Sequence, residues 1–216
     1  MLKGILGYDS KIGGILTKGI DYICLILLWV AFSLPVITAG ASTCAFFYAY
    51  NKAILHDNGY IWKSFWKSFK MNFKQTLGLW VIQTVLWITL SLNCFAAYWQ
   101  IDILLSKTVM WILVGVSIVI LTWSLFWLPY VARFEDKTWT VIKNTRIIMI
   151  QNLAWSFIIL VLTVALGLFI CAFFPIGMIG ATAVYMAITG KIYYKVFRKY
   201  MTAEAIAEED NDIIPI

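Results

Sequence analysis

The sequence predicts an all-α fold, a polytopic transmembrane helical bundle of about six passes, from its composition and the spacing of its charges. Hydrophobic residues make up 62% and charged residues 13% of the 216 residues, and the mean hydropathy is +0.84. Soluble domains are usually about half apolar and about one-quarter charged. A water-soluble fold of this length has too little interior to bury so many apolar side chains, whereas a bilayer surrounds them. We therefore expect a single membrane domain over 1–216.

Four long windows of the chain contain no Asp, Glu, Lys or Arg, and they run 22–51, 75–101, 108–132 and 147–190. A helix needs about 20 apolar residues to cross the hydrocarbon of a bilayer. The second and third windows, of 27 and 25 residues, each hold one helix, and the fourth, of 44 residues, holds two. The first window, of 30 residues, fits either one pass or a tight hairpin.

Two Pro/Gly segments divide the first and fourth windows, with Pro35 and Gly40 in one and Pro175 and Gly180 in the other. Proline favours the first turn of a new helix because it has no backbone N–H to donate. Glycine lets membrane helices approach closely. These four residues are the candidate hairpin and packing residues. The paired passes predicted in this way run at about 20–35 and 36–55, and at about 152–174 and 176–194.

The basic residues favour the hairpin in the first window. With six passes, 16 of the 17 basic residues lie on one side of the membrane, and Lys107 alone lies on the other. Lys and Arg concentrate in cytoplasmic segments, so this side is the cytoplasm. We predict a multi-pass protein of the cell membrane with both termini cytoplasmic. The alternative makes 36–50 a re-entrant or interfacial segment, so that 36–55 is not a full pass.

Residues 61–74, which read IWKSFWKSFKMNFK, predict a basic amphipathic helix at the cytoplasmic interface. One face carries lysines at helical spacing, and another carries aromatic residues. The lysine face could anchor the bundle on anionic lipids of the bilayer, or it could dock a partner. The lysines are Lys63, Lys67, Lys70 and Lys74, and the aromatic residues are Trp62, Phe65, Trp66, Phe69 and Phe73.

Two further polar segments are predicted on the cytoplasmic side. The mixed charges of 130–149 indicate a cytoplasmic helix. The tail over 201–216 is acidic, and we expect it to be a solvated, frayed end.

Residues that could carry chemistry are few. The only histidine, His56, is expected to be solvated at the interface, and the four cysteines lie apart without a CxxC pair. Within the predicted passes, Gln83 and Asn93 are expected to join helices by hydrogen bonds, and no Asp, Glu, Lys, Arg or His lies deep in the predicted bundle. We therefore predict no enzymatic activity, no catalytic or metal site and no cofactor.

The pattern Leu34-Pro35-x-x-Thr38-x-Gly40-Ala41, followed by Phe65, Phe69, Asn72, Phe73 and Lys74, resembles the YesL-like family of bacterial membrane proteins. The resemblance covers about residues 5–200. The family is a domain of unknown function whose members often sit beside carbohydrate-uptake and glycan-degrading genes in Gram-positive bacteria. It implies an accessory role in carbohydrate uptake or its regulation, and it supplies no catalytic residues.

Two hypotheses of function follow. The first is a non-catalytic membrane protein that assists or regulates a transport system, such as an ABC-type sugar transporter, through its basic cytoplasmic face. The alternative is a small transporter or channel for an unidentified solute. The lack of these residues deep in the predicted bundle favours the first.

Overall fold

The computed structural model describes residues 11–56, 60–99, 104–173 and 176–211, and this part of the chain is almost entirely helical, which confirms the all-α prediction. A 3₁₀ turn, Val36–Thr38, precedes the second helix, and a π-helical segment, Tyr50–Leu55, follows it. The α-helices of the described residues are α1 Lys11–Ser33, α2 Ala39–Ala49, α3 Ile61–Trp99, α4 Leu104–Val131, α5 Thr138–Gln151, α6 Leu153–Ala172, α7 Ile176–Arg198 and α8 Ala203–Asn211.

Four of the described helices are long and apolar enough to cross a membrane. The candidate spans are Leu16–Ser33 in α1, Ile61–Ala96 in α3, Thr108–Val131 in α4 and Leu153–Ala172 in α6. Between 6% and 11% of each span is buried inside the protein. Helices that expose so much apolar surface need apolar surroundings, and a bilayer provides them. The chain is therefore a membrane protein.

The other two predicted passes do not reach this length or hydropathy, so six passes are not confirmed. Helix α2 has 11 residues, and the π-helical segment that extends it contains Lys52. Helix α7 has 23 residues, but Lys195 and Arg198 lie in its last turn and Lys191 lies one turn earlier. Each predicted pass thus ends in a polar stretch, which shortens its apolar part below the thickness of the hydrocarbon.

Residues 61–74 do not form a separate helix along the membrane surface. They are the first part of α3, which continues without a break to Trp99 and has 39 residues. At 1.5 Å per residue the helix is about 58 Å long, roughly twice the thickness of the hydrocarbon. The charge-free part of α3 begins at Gln75, and the four lysines of residues 61–74 precede it in the same helix.

The buried side chains lie toward one end of the bundle. One cluster joins α4, α5 and α7 around Trp127, Val141 and Val196, and another joins α1, α2 and α3 around Leu25, Phe46 and Phe65. The end of α3, the start of α4 and the end of α6 instead expose large apolar side chains. The best-packed part of the protein is therefore the end that carries the lysine-rich start of α3 and the last turns of α4 and α7.

Candidate functional site

The lysine face of α3 is fully presented at the surface. Lys63, Lys67, Lys70 and Lys74 are all exposed. The Lys70 Nζ lies 5.0 Å from the centre of the Trp66 ring, a cation–π contact within the helix. Within the described part of the chain none of the four lysines forms a salt bridge. The face therefore carries four positive charges on about three helical turns.

The aromatic face of the same segment is covered by the protein itself. Phe32 of α1 lies among three rings of α3, with centroid distances of 5.6 Å to Phe65, 5.3 Å to Trp66 and 5.3 Å to Phe69. Phe65 is 1% exposed. Internal packing therefore covers much of the aromatic face, while Trp62 remains 58% exposed.

The first predicted turn joins α1 to α2 and contains Pro35 and Gly40. Pro35 is the exposed residue before the 3₁₀ turn, and its carbonyl accepts a 2.9 Å hydrogen bond from the Thr38 backbone N–H. The Thr38 hydroxyl also lies 2.7 Å from the carbonyl of Phe32. Gly40 is buried, and a Cβ built on it would lie 3.3 Å from the Trp80 Cβ. The first turn of α2 thus packs closely on α3.

The second predicted turn differs from the first. Pro175 lies outside the described residues. Gly180 is exposed, and a Cβ there would meet no heavy atom within 4 Å. It lines a groove of about 910 Å³ between α6 and α7, whose walls are almost entirely apolar. Among the described residues, Gly180 therefore borders an open groove between α6 and α7 and makes no close helix contact.

Close packing on α7 occurs instead at Gly190, which the sequence analysis missed. A Cβ there would lie 2.7 Å from the Tyr50 Cε1. Tyr50 donates a hydrogen bond to the carbonyl of Ala187, and Tyr22 donates one to the carbonyl of Ala183. The small residues 180, 183, 187 and 190 recur at spacings of three and four, so helical periodicity was the available signal.

A polar cluster that the sequence analysis did not predict surrounds Tyr194. The guanidinium carbons of Arg133 and Arg198 lie 4.8 and 5.9 Å from the centre of its ring, and the His56 ring lies at 5.4 Å. His56 is 8% exposed, and its Nδ1 lies 2.6 Å from the carbonyl oxygen of Asn51. The expectation of a solvated His56 is wrong, because the π-helical segment turns the ring inward under α7.

The intramembrane amides behave differently from each other. The Trp127 Nε1 donates a 2.6 Å hydrogen bond to the Gln83 Oε1, which joins α3 to α4 as expected. Asn93 donates to the carbonyl of Thr89 in its own helix, so the expectation that it joins two helices is wrong. Among the described residues, no group of three His, Cys, Asp or Glu could hold a metal ion.

The comparisons with known proteins bear on the first half of this arrangement. Residues 22–94 match a protein family described as "Protein of unknown function, DUF624". This stretch is similar to that family. It runs from α1 through most of α3, and it contains the turn at Pro35, the Gly40–Trp80 contact and the lysine face. No curated protein and no solved structure matches the chain.

Proposed function

We propose that this protein is a non-catalytic accessory or regulatory component of carbohydrate uptake that docks an acidic protein partner through the lysine face of α3. In this proposal it is a multi-pass protein of the cell membrane with both termini in the cytoplasm. An ABC-type sugar transporter is the partner that the resemblance described above suggests. The matched family has no assigned function, so the sugar context rests on that resemblance alone.

The proposal rests on one observation: the aromatic face of residues 61–74 packs against the bundle, whereas the lysine face is exposed. Phe65 and Phe69 pack against Phe32, which already fixes the start of α3 to the bundle. The lysines are therefore not needed to hold this segment in place. Four exposed positive charges within about 17 Å of helix form a field that favours an acidic surface and speeds its association.

Anionic lipid is the competing occupant of the same face. Each surface lysine contributes on the order of 1 kcal/mol of attraction to an anionic leaflet. However, the lysine segment and the charge-free part of α3 belong to one continuous helix. In this proposal the segment therefore extends away from the hydrocarbon instead of lying along the membrane surface. This direction favours contact with a neighbouring protein over contact with lipid headgroups.

The experiment replaces Lys63, Lys67, Lys70 and Lys74 by Gln and measures membrane insertion, partner recovery after mild detergent extraction, and growth on sugars. We expect normal insertion with loss of the partner and of the growth phenotype. The matched control removes four exposed basic side chains elsewhere, namely Lys143, Arg146, Lys191 and Lys195. An undiminished partner complex in the α3 variant, or equal loss in the control, would contradict docking by this face.

A small transporter is the second candidate, and a cavity between helices supports it. The cavity has a volume of about 230 Å³ and lies among α2, α3, α4 and α7. Its polar lining includes Thr43, Gln83, Ser124 and Tyr185. Solute flux into liposomes that contain only this protein would support transport, and flux abolished by Gln83→Leu would place the path in this cavity. A tight membrane under the same conditions favours the accessory role.

A further inference from the structure

A second polar site lies beside the lysine-rich end of α3, and the proposed docking function does not use it. A cavity of about 320 Å³ opens between the end of α4, the α4–α5 connection, α5 and the residue pair after α7. Its volume is within the range of small-molecule sites. Its lining residues are Tyr130, Phe134, Asp136, Asn144, Ile147, Ile148 and Tyr200.

Hydrogen bonds hold the polar wall of this cavity in one arrangement. The Tyr130 hydroxyl lies 2.5 Å from the Asp136 Oδ2 and 2.8 Å from the Asn144 Nδ2. The Gln75 Nε2 donates a 2.8 Å hydrogen bond to the backbone carbonyl of Asp136, which ties the connection to α3. Tyr130 itself is 3% exposed, so the group at the centre of the network is fixed by burial.

The donor and acceptor inventory shows what remains for a ligand. A carboxylate only accepts hydrogen bonds, so the single hydroxyl hydrogen of Tyr130 goes to Asp136. The Tyr130 oxygen then accepts from the Asn144 amide nitrogen, which leaves the Asn144 Oδ1 as a free acceptor. The Asp136 Oδ1 is also without a hydrogen bond among the described residues. The unused capacity of the wall therefore comprises two acceptor oxygens, the Asp136 Oδ1 and the Asn144 Oδ1, and the second N–H of the Asn144 amide.

The charge of the cavity lining also favours a ligand that donates hydrogen bonds to the free oxygens. Asp136 is the only charged residue in the lining, and it forms no salt bridge within the described part of the chain. The neighbouring lysines Lys137 and Lys143 are exposed and do not line the cavity. On a protein with a net charge of +6, a carboxylate that no basic side chain neutralises is left to attract a cation.

We propose that this cavity binds a primary ammonium group on a short apolar chain. The Asp136 Oδ1 and the Asn144 Oδ1 accept the hydrogen bonds of the ammonium group, and Phe134, Ile147 and Ile148 contact the chain. Such a group is found on a free alkylamine and on the lysine side chain of another protein. The chemistry of recognition is the same for both sources.

The test uses calorimetric titration of the whole protein in detergent micelles with n-butylammonium. We expect saturable binding, with a dissociation constant on the order of 1 mM, and no binding of the uncharged isostere 1-butanol. Asp136→Asn keeps an oxygen for Tyr130 and removes the charge, and it should weaken binding about tenfold or more. Glu135→Gln removes the same charge from an exposed neighbour that does not line the cavity, and it should bind as the native protein does.

Two further measurements test the location of the site and distinguish the two sources of the ammonium group. Ile147→Trp enlarges a lining side chain that takes no part in the Tyr130 hydrogen bonds, and it should also abolish binding while the unfolding temperature is unchanged. Binding of Nα-acetyl-lysine amide, whose side-chain ammonium is free, as tightly as n-butylammonium would identify a lysine side chain as the ligand, and its exclusion would identify a free amine. The proposal is overturned if n-butylammonium does not bind saturably, or if Asp136→Asn and Glu135→Gln bind it equally well.

Discussion

The Tyr193 hydroxyl on α7 donates a 2.7 Å hydrogen bond to the backbone carbonyl of Leu125 on α4. This carbonyl lies four residues before Pro129, which is inside α4 and has no N–H to donate to it. A side chain of one helix therefore replaces a backbone donor that is missing from another. Tyr193 is 3% exposed, so water has little access to this carbonyl.

We expect Tyr193→Phe to lower the free energy of unfolding by about 1–3 kcal/mol, because it leaves a buried carbonyl without a donor. The readout is unfolding by SDS titration in mixed micelles. Tyr48→Phe is the matched control: Tyr48 is partly buried, no hydrogen bond of its hydroxyl is found among the described residues, and the change should be within about 0.5 kcal/mol.

A double-mutant cycle identifies the cause. Pro129→Ala restores a backbone N–H that can donate to Leu125, so Tyr193→Phe should cost less in that background than in the native protein. We expect a coupling energy above about 0.5 kcal/mol. Strict additivity of the two substitutions would show that Tyr193 does not compensate for the proline.

Gly190→Ala should be destabilising by about 1–3 kcal/mol. The new Cβ would lie 2.7 Å from the Tyr50 Cε1 and 2.9 Å from its Cδ1, and the Tyr50 ring is 4% exposed and has little room to move. Gly167→Ala is the control, because a Cβ there meets nothing within 4 Å. Alanine favours the helix over glycine, so the control should be neutral or stabilised by up to about 1 kcal/mol. Equal effects at both positions would argue against a close contact of α7 with Tyr50.

The two glycines that the sequence singles out should respond differently to the same substitution. Gly40→Leu places a branched side chain where the Trp80 Cβ lies 3.3 Å from the glycine's own Cβ position, so we expect a loss of about 2 kcal/mol or more. Gly180→Leu extends into the open groove between α6 and α7, and it should be neutral or stabilising by up to about 1 kcal/mol. Detergent unfolding of the pair measures the contrast, and equal losses would contradict an open groove at Gly180.

These glycines also show which helix contacts cannot be predicted from the sequence. The Pro35-to-Gly40 and Pro175-to-Gly180 spacings are identical, and both predict a turn followed by a small residue. Which large side chain approaches a glycine depends on helices that are distant in the sequence. Trp80 approaches Gly40, whereas Tyr50 approaches Gly190 and none of the described side chains approaches Gly180. Local spacing carries no information about these neighbours.

The lysine segment illustrates the same limit at the candidate site. Periodicity correctly separates its residues into a basic face and an aromatic face, because side-chain direction in a helix follows from the 3.6-residue turn. It does not reveal that Phe32 covers the aromatic face, nor that the helix continues to Trp99. The clusters at Tyr194 and Asp136 each contain side chains from three or more segments of the chain, so no local sequence motif predicts them.

The number of passes can be tested at two exposed positions, Leu34 and Tyr60, whose side chains are 78% and 82% exposed. Six passes place Tyr60 in the cytoplasm and Leu34 at the outer surface, because α1 and α2 then form a complete hairpin. Single cysteines are introduced at each position in a background without the four native cysteines. An impermeant thiol reagent on intact cells should label Leu34→Cys and spare Tyr60→Cys until the cells are opened.

The two possible failures have different meanings. Labelling of Tyr60→Cys in intact cells would show that 22–51 crosses the membrane once, since α3 would then begin outside. Protection of both positions in intact cells would show that the turn at Pro35 stays within the membrane and that 36–50 is re-entrant. Glu204→Cys replaces an exposed residue of α8 and serves as the reference for the predicted cytoplasmic side, because Lys191, Lys195, Arg198 and Lys199 precede it.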